Sequence, residues 1–295
     1  MKMNKGLFVI TMLATLFFTS CSEFNNIIKS GDYLYRYEAA KQYYADGKYT
    51  RAVVLLQDVI SVLKGTDKGE ESLYLLGISA YKARDYEAAA NFLKKYYETY
   101  TNGLYTQDAR FYNAMALYKN TPEPKLDQTE TYEAVTAFQN LLEIFPQSIY
   151  AKESQDMIFK LQDKLVEKEY LSAKTYFDLG SYFGNCNFGG NNYQACIITA
   201  ENAMRDYPYS KRREDFAIML LRVKYLLAVH SVESRKGERL DAAAEEYYAF
   251  ANEFPESKYM AEAESIFEKT KKKDVSVMAK TEKKAVKDSI QNAKK

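Results

Sequence analysis

The chain has 295 residues, 47% of them hydrophobic, and a formal net charge of +1. This composition allows a sizeable core, and the small net charge excludes a general electrostatic preference for nucleic acid, so no nucleic-acid partner is expected. The charge is uneven: residues 269–295 hold ten lysines and three acidic residues, a net of +7, whereas residues 21–268 hold 29 basic and 37 acidic residues, a net of −8. The sequence predicts an acidic body and a basic, disordered tail at 273–295, which either is solvated or contacts anionic lipid or an acidic partner.

The first twenty residues, 1–20, have the pattern of an export signal. Lys2 and Lys5 precede an apolar run at 7–18 that is too short to span a bilayer comfortably. A small residue then stands directly before Cys21, a pattern that resembles a bacterial lipobox, in which the cysteine is lipidated and becomes the mature N-terminus. We therefore expect a lipid anchor at Cys21, a tether at 21–31, and attachment to the outer membrane. The alternative is an ordinary signal peptide with an incidental cysteine.

A repeated unit dominates the rest of the chain. One copy is Tyr132–Glu153; its front half recurs at Tyr49–Leu55, Tyr86–Phe92 and Tyr193–Thr199, and its back half recurs at Phe254–Tyr259. Self-similarity at roughly 34–47 residues is typical of a helical solenoid. The spacing of small, aromatic and proline positions matches a tetratricopeptide repeat. We predict an all-α tetratricopeptide-repeat solenoid of about five helix pairs plus a C-terminal capping helix.

The predicted helices follow in chain order, and helix-capping residues and breakers set their ends. The first three pairs are 32–46 with 49–64, 68–82 with 86–100, and 105–119 with 129–145, the last interrupted by a proline-containing loop at 120–128. The fourth pair is 148–183, either one helix or two with a bend near 167–170, with 191–207; the fifth is 209–232 with 238–254, and 257–272 is the capping helix.

A ladder of aromatic and apolar residues appears when the first helices of pairs one to three are aligned at a spacing of 37 residues. The members fall on one face of each helix, the face that lines the concave groove of tetratricopeptide arrays. This pattern predicts a groove that holds an extended, aromatic-rich peptide. The alternative is that these rings only pack against neighbouring hairpins. The candidate groove residues are Tyr37, Tyr44, Tyr74, Ile78, Tyr81, Phe111, Met115 and Tyr118.

The sequence offers no catalytic constellation. It has no nucleophile elbow, phosphate-binding glycine loop or metalloprotease motif, and its single histidine, His230, leaves no pair for nucleophilic catalysis or a metal site. We expect no enzymatic activity, no cofactor and no metal. Cys186 and Cys196 permit a disulfide in an exported protein, but Cys196 occupies a repeat position that should face the core, which favours an unpaired thiol.

Five segments carry a more specific likeness than the repeats themselves. They resemble the BamD family, the tetratricopeptide-repeat lipoproteins of the outer-membrane β-barrel assembly machine, in the form found in Bacteroidetes. The anchor together with the stretch between the third and fourth repeats is the most specific part. The segments are Cys21–Phe24, Lys64–Tyr74, Leu126–Thr129, Leu161–Glu169 and Asp206–Ser210.

The resemblance implies a non-enzymatic scaffold of the outer-membrane protein assembly (BAM) complex, anchored at the periplasmic face through lipidated Cys21. Repeats one to three, 32–146, would receive unfolded outer-membrane protein clients. Residues 147–272 would dock on a BamA-like barrel-forming subunit, and other assembly-complex lipoproteins are candidate partners. Separately, the proline-containing insertion and the long helix that flank the third repeat suggest a hinge at 120–170 between the two halves. The alternatives are a periplasmic tetratricopeptide lipoprotein that coordinates cell-wall enzymes and a nutrient-binding outer-membrane lipoprotein.

Overall fold

The computed structural model describes residues 23–180 and 191–271, and all regular secondary structure in these residues is helical. The all-α class is therefore confirmed, and consecutive helices pack in pairs as predicted. None of the described helices is long and apolar enough to cross a membrane. The helices are α1 (23–29), α2 (Tyr33–Ala45), α3 (Tyr49–Val62), α4 (Asp67–Lys82), α5 (Tyr86–Thr99), α6 (Thr106–Asn120), α7 (Thr129–Ile144), α8 (Ala151–Leu179), α9 (Asn192–Asp206), α10 (Arg213–Val229), α11 (Glu233–Glu253) and α12 (260–271).

Several predicted features lie outside the described residues. They are the signal peptide at 1–20, the anchor Cys21, the loop cysteine Cys186 and the basic tail at 273–295. The predictions made for them stay predictions.

Short polar side chains start several of the helices. The Asp32 carboxylate accepts hydrogen bonds from the backbone N–H groups of Leu34 and Tyr35, at 2.9 and 3.0 Å, and so caps the N-terminus of α2. Asp85 caps α5 and Asn191 caps α9 in the same way. These caps satisfy N–H groups that a helix leaves without partners in its first turn.

Small residues let the two helices of each pair approach closely. Ala40, Ala52 and Ala89 are completely buried. A Cβ placed on Gly77 of α4 would lie 2.7 Å from the side chain of Leu93 in α5, so a larger residue has no room there. The positions that the repeat pattern reserves for small residues are thus the crossing points of the helices.

Tyrosines in the turns before α6, α8 and α12 contact the preceding helix pair. Tyr105 stacks on Tyr74 with ring centroids 4.3 Å apart, and Tyr150 stacks on Phe111 at 4.0 Å. The Tyr150 hydroxyl also donates a hydrogen bond of 2.9 Å to Asp108. The C-terminal repeats use the same device: the Tyr259 hydroxyl donates to Asp215 at 3.0 Å.

The segment expected to act as a tether is packed on the first hairpin. Residues 23–29 form α1, and Ile27 is buried in the same cluster as Tyr37 and Leu56. The Phe24 ring meets the Tyr43 ring edge-on at 5.5 Å. Residues 23–29 of the predicted tether at 21–31 are therefore part of the folded first unit.

The chain divides into two compact units. The first runs from the first described residue to Pro122 and resumes at Asp127–Leu161; the second comprises Glu123–Leu126 and the described residues from Gln162 onward. Helix α8 supplies core residues to both: Leu161 packs in the first, and Val166 and Ala173 pack in the second. It is one helix rather than two and ends before Gly180, whose φ of +50° few other residues adopt.

The last repeat differs from the prediction at one end. We predicted that the second helix of this pair begins after Gly237, but α11 begins at Glu233 and runs through the glycine. A Cβ at Gly237 would meet no atom within 4 Å, so this glycine marks neither a close contact nor a break. The predicted capping helix is present as α12, where Phe267 stacks on Tyr247 of α11 with centroids 4.3 Å apart.

Candidate peptide-binding surface

The first row of the predicted ladder, formed by Tyr37, Tyr74 and Phe111 at a spacing of 37 residues, lies largely inside the fold. Tyr37 is 1% exposed and Phe111 is 3% exposed, while Tyr74 is half-buried beneath Tyr105. These three rings pack against neighbouring hairpins, which is the alternative that the sequence left open. Their side chains therefore offer little surface to a ligand.

Tyr37 also links two repeats by polar contacts. Its hydroxyl donates a hydrogen bond to the carboxylate of Glu71 in α4, and Lys41 of α2 pairs with the same carboxylate at 3.0 Å. Burial and this carboxylate together raise the pKa of Tyr37 to about 12. Tyr37 thus acts as a structural residue that joins the first and second helix pairs.

The second row, formed by Lys41, Ile78 and Met115, contains both buried and accessible side chains. Ile78 is 3% exposed and belongs to the first hydrophobic core, whereas Met115 is half-buried at the edge of the next core. Lys41, which aligns with them, is held by its ion pair with Glu71. Of this row, Met115 alone combines an apolar side chain with access to solvent.

The third row is the accessible part of the ladder. Tyr44, Tyr81 and Tyr118 are half-buried, one on each of α2, α4 and α6. Tyr81 meets Tyr112 edge-on, with ring centroids 5.2 Å apart. We call Tyr44, Tyr81, Tyr112 and Tyr118 the tyrosine face. A fixed spacing of 37 residues skips Tyr112, whose only signal in the sequence is an aromatic residue directly after Phe111.

Three rings of the tyrosine face, those of Tyr44, Tyr81 and Tyr112, are held in the neutral form. Burial raises the pKa of Tyr44, Tyr81 and Tyr112, and each of the first two is raised further by neighbouring tyrosines that include Tyr112. The carboxylate of Glu153 in α8 adds to the effect at Tyr81 and Tyr112. Half-buried neutral rings of this kind suit stacking and apolar contact with aromatic side chains.

A run of charges at the start of α10 is used within the fold. The Arg212 guanidinium donates to both oxygens of Glu167, at 2.9 and 3.0 Å, and to Asp215 at 3.0 Å. Arg213 pairs with Glu253 of α11. Lys211 remains exposed, 3.8 Å from Asp163. These arginines fix α10 against its neighbours and keep little free charge for a ligand.

The described residues contain no cluster of histidine, cysteine and acidic side chains that suits a metal ion. Cys196 is completely buried in the core of the second unit, and burial raises the pKa of its thiol to about 12. A thiol in this state is a poor nucleophile. Whether it pairs with Cys186 concerns a residue outside the described part.

Comparison with known proteins places the chain in a family. The family model YfiO, described as outer membrane lipoprotein, matches residues 32–189, more than half of the chain. The chain belongs to the YfiO family. A curated relative from Aquifex aeolicus, named putative outer membrane protein assembly factor BamD, is 24% identical over 171 residues, which is 57% of this chain and 56% of the relative. The YfiO-family chain thus spans just over half the length of that relative.

Two solved structures of tetratricopeptide proteins are similar to the chain at low scores. A TPR repeats protein from Bacteroides fragilis aligns with 90% of this chain and 100% of its own length, with 11% identity and a TM-score of 0.35. A thermophilic TPR protein from Thermus thermophilus aligns with 80% of this chain and 98% of its own, with 14% identity and a TM-score of 0.31.

Proposed function

We propose that this YfiO-family chain is a non-enzymatic scaffold in the assembly of β-barrel proteins into the outer membrane. The observation that carries the proposal is the family match over residues 32–189. The name of the Aquifex relative, an outer membrane protein assembly factor, agrees with it. The architecture is suitable, because paired helices present extended surfaces for other proteins. In this proposal lipidated Cys21 holds the chain at the periplasmic face.

The proposed client-binding surface lies in repeats one to three. It consists of the tyrosine face together with Met115, because these side chains are half-buried and none is stacked beneath another ring, as Tyr74 is beneath Tyr105. An unfolded client with aromatic residues would stack its rings there and bury apolar area. Residues 147–272 are the proposed docking surface for a BamA-like barrel-forming subunit, with further assembly lipoproteins as candidate partners.

Affinity purification tests the assembly role. We expect the tagged, lipid-anchored chain, solubilised from membranes, to co-purify with a BamA-like subunit, and its depletion to lower the levels of outer-membrane β-barrel proteins. A Cys21→Ala variant separates anchoring from binding, since it carries no lipid and should still co-purify with the partner. Recovery of peptidoglycan enzymes alone, with normal barrel levels after depletion, would refute the assembly role and support a cell-wall coordinator.

Crosslinking to a peptide tests the client surface. We expect a photoreactive peptide from the C-terminus of a barrel protein to crosslink to the wild-type chain several-fold more than to the Tyr44→Ala, Tyr81→Ala, Tyr118→Ala triple variant, because stacking and apolar contacts are lost. Tyr209→Ala is the matched control, since Tyr209 is 98% exposed outside this surface. Unchanged crosslinking in a folded triple variant contradicts the assignment.

A further inference from the structure

A cleft of about 710 Å³ opens between α5 and α7, with α6 as its floor. It is lined by the second helices of pairs two and three and does not involve the tyrosine face. Most of the residues that line it carry polar side-chain groups: Asn91 and Tyr97 come from α5, Arg110 from α6, and Tyr132, Thr136 and Asn140 from α7. The cleft has the dimensions of a site for a short peptide segment rather than for one side chain.

Arg110 lies at the floor of this cleft without a counter-ion. Among the described residues its guanidinium forms no ion pair or hydrogen bond, and its Nε is buried with no acceptor. The guanidinium lies 4.2 Å from the centroid of the Tyr97 ring. The two terminal nitrogens of the guanidinium also lack an acceptor among the described residues but are not buried, so an anion in the cleft can reach them.

The Tyr97 ring beneath Arg110 is held in place by hydrogen bonds. The Tyr97 hydroxyl donates to the carboxamide oxygen of Asn113 at 3.4 Å, and the Asn113 carboxamide nitrogen donates to the carbonyl of Ala90 at 2.8 Å. A guanidinium stacked on an anchored ring loses less conformational entropy on binding than a free one. The arginine is thus held in place before any ligand arrives.

The preceding pair of helices shows that the scaffold does not require this arginine. A smaller cleft of about 250 Å³ lies between α3 and α5, with α4 as its floor. The floor position 37 residues before Arg110 is Leu73, which is 5% exposed and packs in a hydrophobic core. The repeat therefore accepts an apolar residue at this position, and the charge at Arg110 needs another explanation.

We propose that the α5–α7 cleft docks an extended segment of a partner protein and that Arg110 pairs with an aspartate or glutamate side chain of that segment. A guanidinium binds a carboxylate through two parallel hydrogen bonds, the pairing for which its shape is best suited. Asn91 and Asn140 are exposed on opposite walls, and their carboxamides supply donors and acceptors for a peptide backbone. Tyr132, also exposed, offers an aromatic contact at the rim.

The remaining charges of the cleft limit the partner to one carboxylate at this point. Lys94 and Glu98 are both exposed on α5, 3.9 Å apart, and offset each other. Glu133 is exposed on α7 at the rim. Glu133 repels each carboxylate that enters the cleft, so a single one paired with Arg110 is favoured over several. The cleft therefore selects a single acidic side chain among neutral neighbours.

Peptide pools test the proposal on the full mature chain. The probes are acetylated and amidated decapeptide mixtures whose central residue is either Asp or Glu or else Asn or Gln, so that terminal charges are absent. We expect the immobilised chain to retain the acidic pool roughly ten-fold better than the amide pool, because a charge-assisted pair replaces a neutral one. Arg110→Leu, which restores the Leu73-type floor, should abolish the difference, and so should Arg110→Gln if the leucine variant does not fold.

A matched control excludes general electrostatic attraction. Lys95→Gln removes a cation from α5 that lines the smaller cleft instead, and it should keep the full preference for the acidic pool. The proposal is overturned if the wild-type chain retains both pools equally, or if the folded Arg110 variants keep the acidic preference. Retention of a third pool with free C-terminal carboxylates and neutral side chains, when the amidated acidic pool is not retained, also overturns it, because the assigned group is a side chain.

Discussion

Tyr37, Lys41 and Glu71 form a small polar group in which one carboxylate serves two partners. The tyrosine hydroxyl and the lysine ammonium both contact Glu71, which belongs to the next helix pair. Burial is the main reason that the pKa of Tyr37 rises to about 12, and the hydrogen bond to Glu71 adds to it. The neutral tyrosine is therefore favoured in the folded chain, which makes its contribution dependent on pH.

The Tyr37→Phe variant tests this linkage. The unfolded tyrosine ionises near pH 10 and the folded one near 12, so its stabilisation is complete below pH 10 and is lost as the pH rises from 10 to 12. We expect the variant to be less stable than the wild type by about 1 kcal/mol at pH 8, and the difference to shrink above pH 10. Urea unfolding at pH 8 to 11 measures it.

The other buried tyrosines do not disturb this comparison, because they are present in both proteins. Tyr209→Phe, at a side chain that is 98% exposed, serves as the control and should match the wild type at every pH. A stability difference for Tyr37→Phe that stays constant from pH 8 to 11 would contradict the assigned ionisation.

At the residue scale the sequence predicts the helix face on which a side chain lies better than it predicts how deeply that side chain is buried. The 37-residue spacing places Tyr37, Ile78 and Phe111 on the predicted helix faces, but all three are buried. The reason for Phe111 is that Tyr150, 39 residues later in the chain, stacks over its ring. Helical periodicity fixes the angle at which a side chain leaves the helix, and the atoms that cover it come from another repeat.

Single glycines decide how closely the helices pack. Gly77 of α4 faces Leu93 of α5, with no room for a Cβ. Gly237 of α11 lies in an equally regular helix but has no neighbour within 4 Å of the Cβ position. The two glycines have the same chemistry and opposite packing environments.

Alanine substitutions at these two glycines should change stability in opposite directions. We expect Gly77→Ala to destabilise by roughly 1–3 kcal/mol, because the new Cβ displaces a buried leucine. Gly237→Ala should stabilise by about 0.5–1 kcal/mol, because alanine restricts the unfolded chain and favours the helix. Thermal and urea unfolding of both variants measure the effects, and equal shifts of the same sign would refute the packing argument.

At the element scale the breakers in the sequence had unequal predictive value. The prolines at 122 and 124 end α6 and precede α7 as predicted. Gly237 does not interrupt α11, because a glycine in a helix costs only about 1 kcal/mol, which packing can offset. The sequence does not decide whether α8 is one helix or two, because its middle contains no breaker and periodicity alone does not detect a bend; the structure shows one helix.

At the scale of the whole molecule, α8 supplies core residues to both compact units, whereas the repeat pattern assigns the whole helix to the second. The repeat pattern places a boundary between 146 and 147, before this helix begins. In the structure Met157, Ile158 and Leu161 of α8 pack with Phe138 and other residues of the first unit. The pattern marks where a repeat starts, but it does not show which repeat buries the first turns of the new helix.

Truncation tests this division. We expect a chain that ends at residue 146 to lose the α8 contribution to the first core and to unfold with lower cooperativity and stability, by several kcal/mol, because three buried apolar side chains are removed. A chain that ends at residue 179 keeps all of α8 and should retain the cooperative transition. Circular dichroism during urea unfolding distinguishes them, and identical transitions would show that α8 is dispensable for the first unit.

The stacked pair Tyr74 and Tyr105 has a spectroscopic consequence. The chain contains no tryptophan, so tyrosine dominates its near-ultraviolet absorption. Two rings held 4.3 Å apart and nearly parallel couple their transitions, and Tyr74 belongs to α4 whereas Tyr105 immediately precedes α6. The difference in near-ultraviolet dichroism between the wild type and a Tyr105→Phe variant should therefore report the contact between the second and third helix pairs.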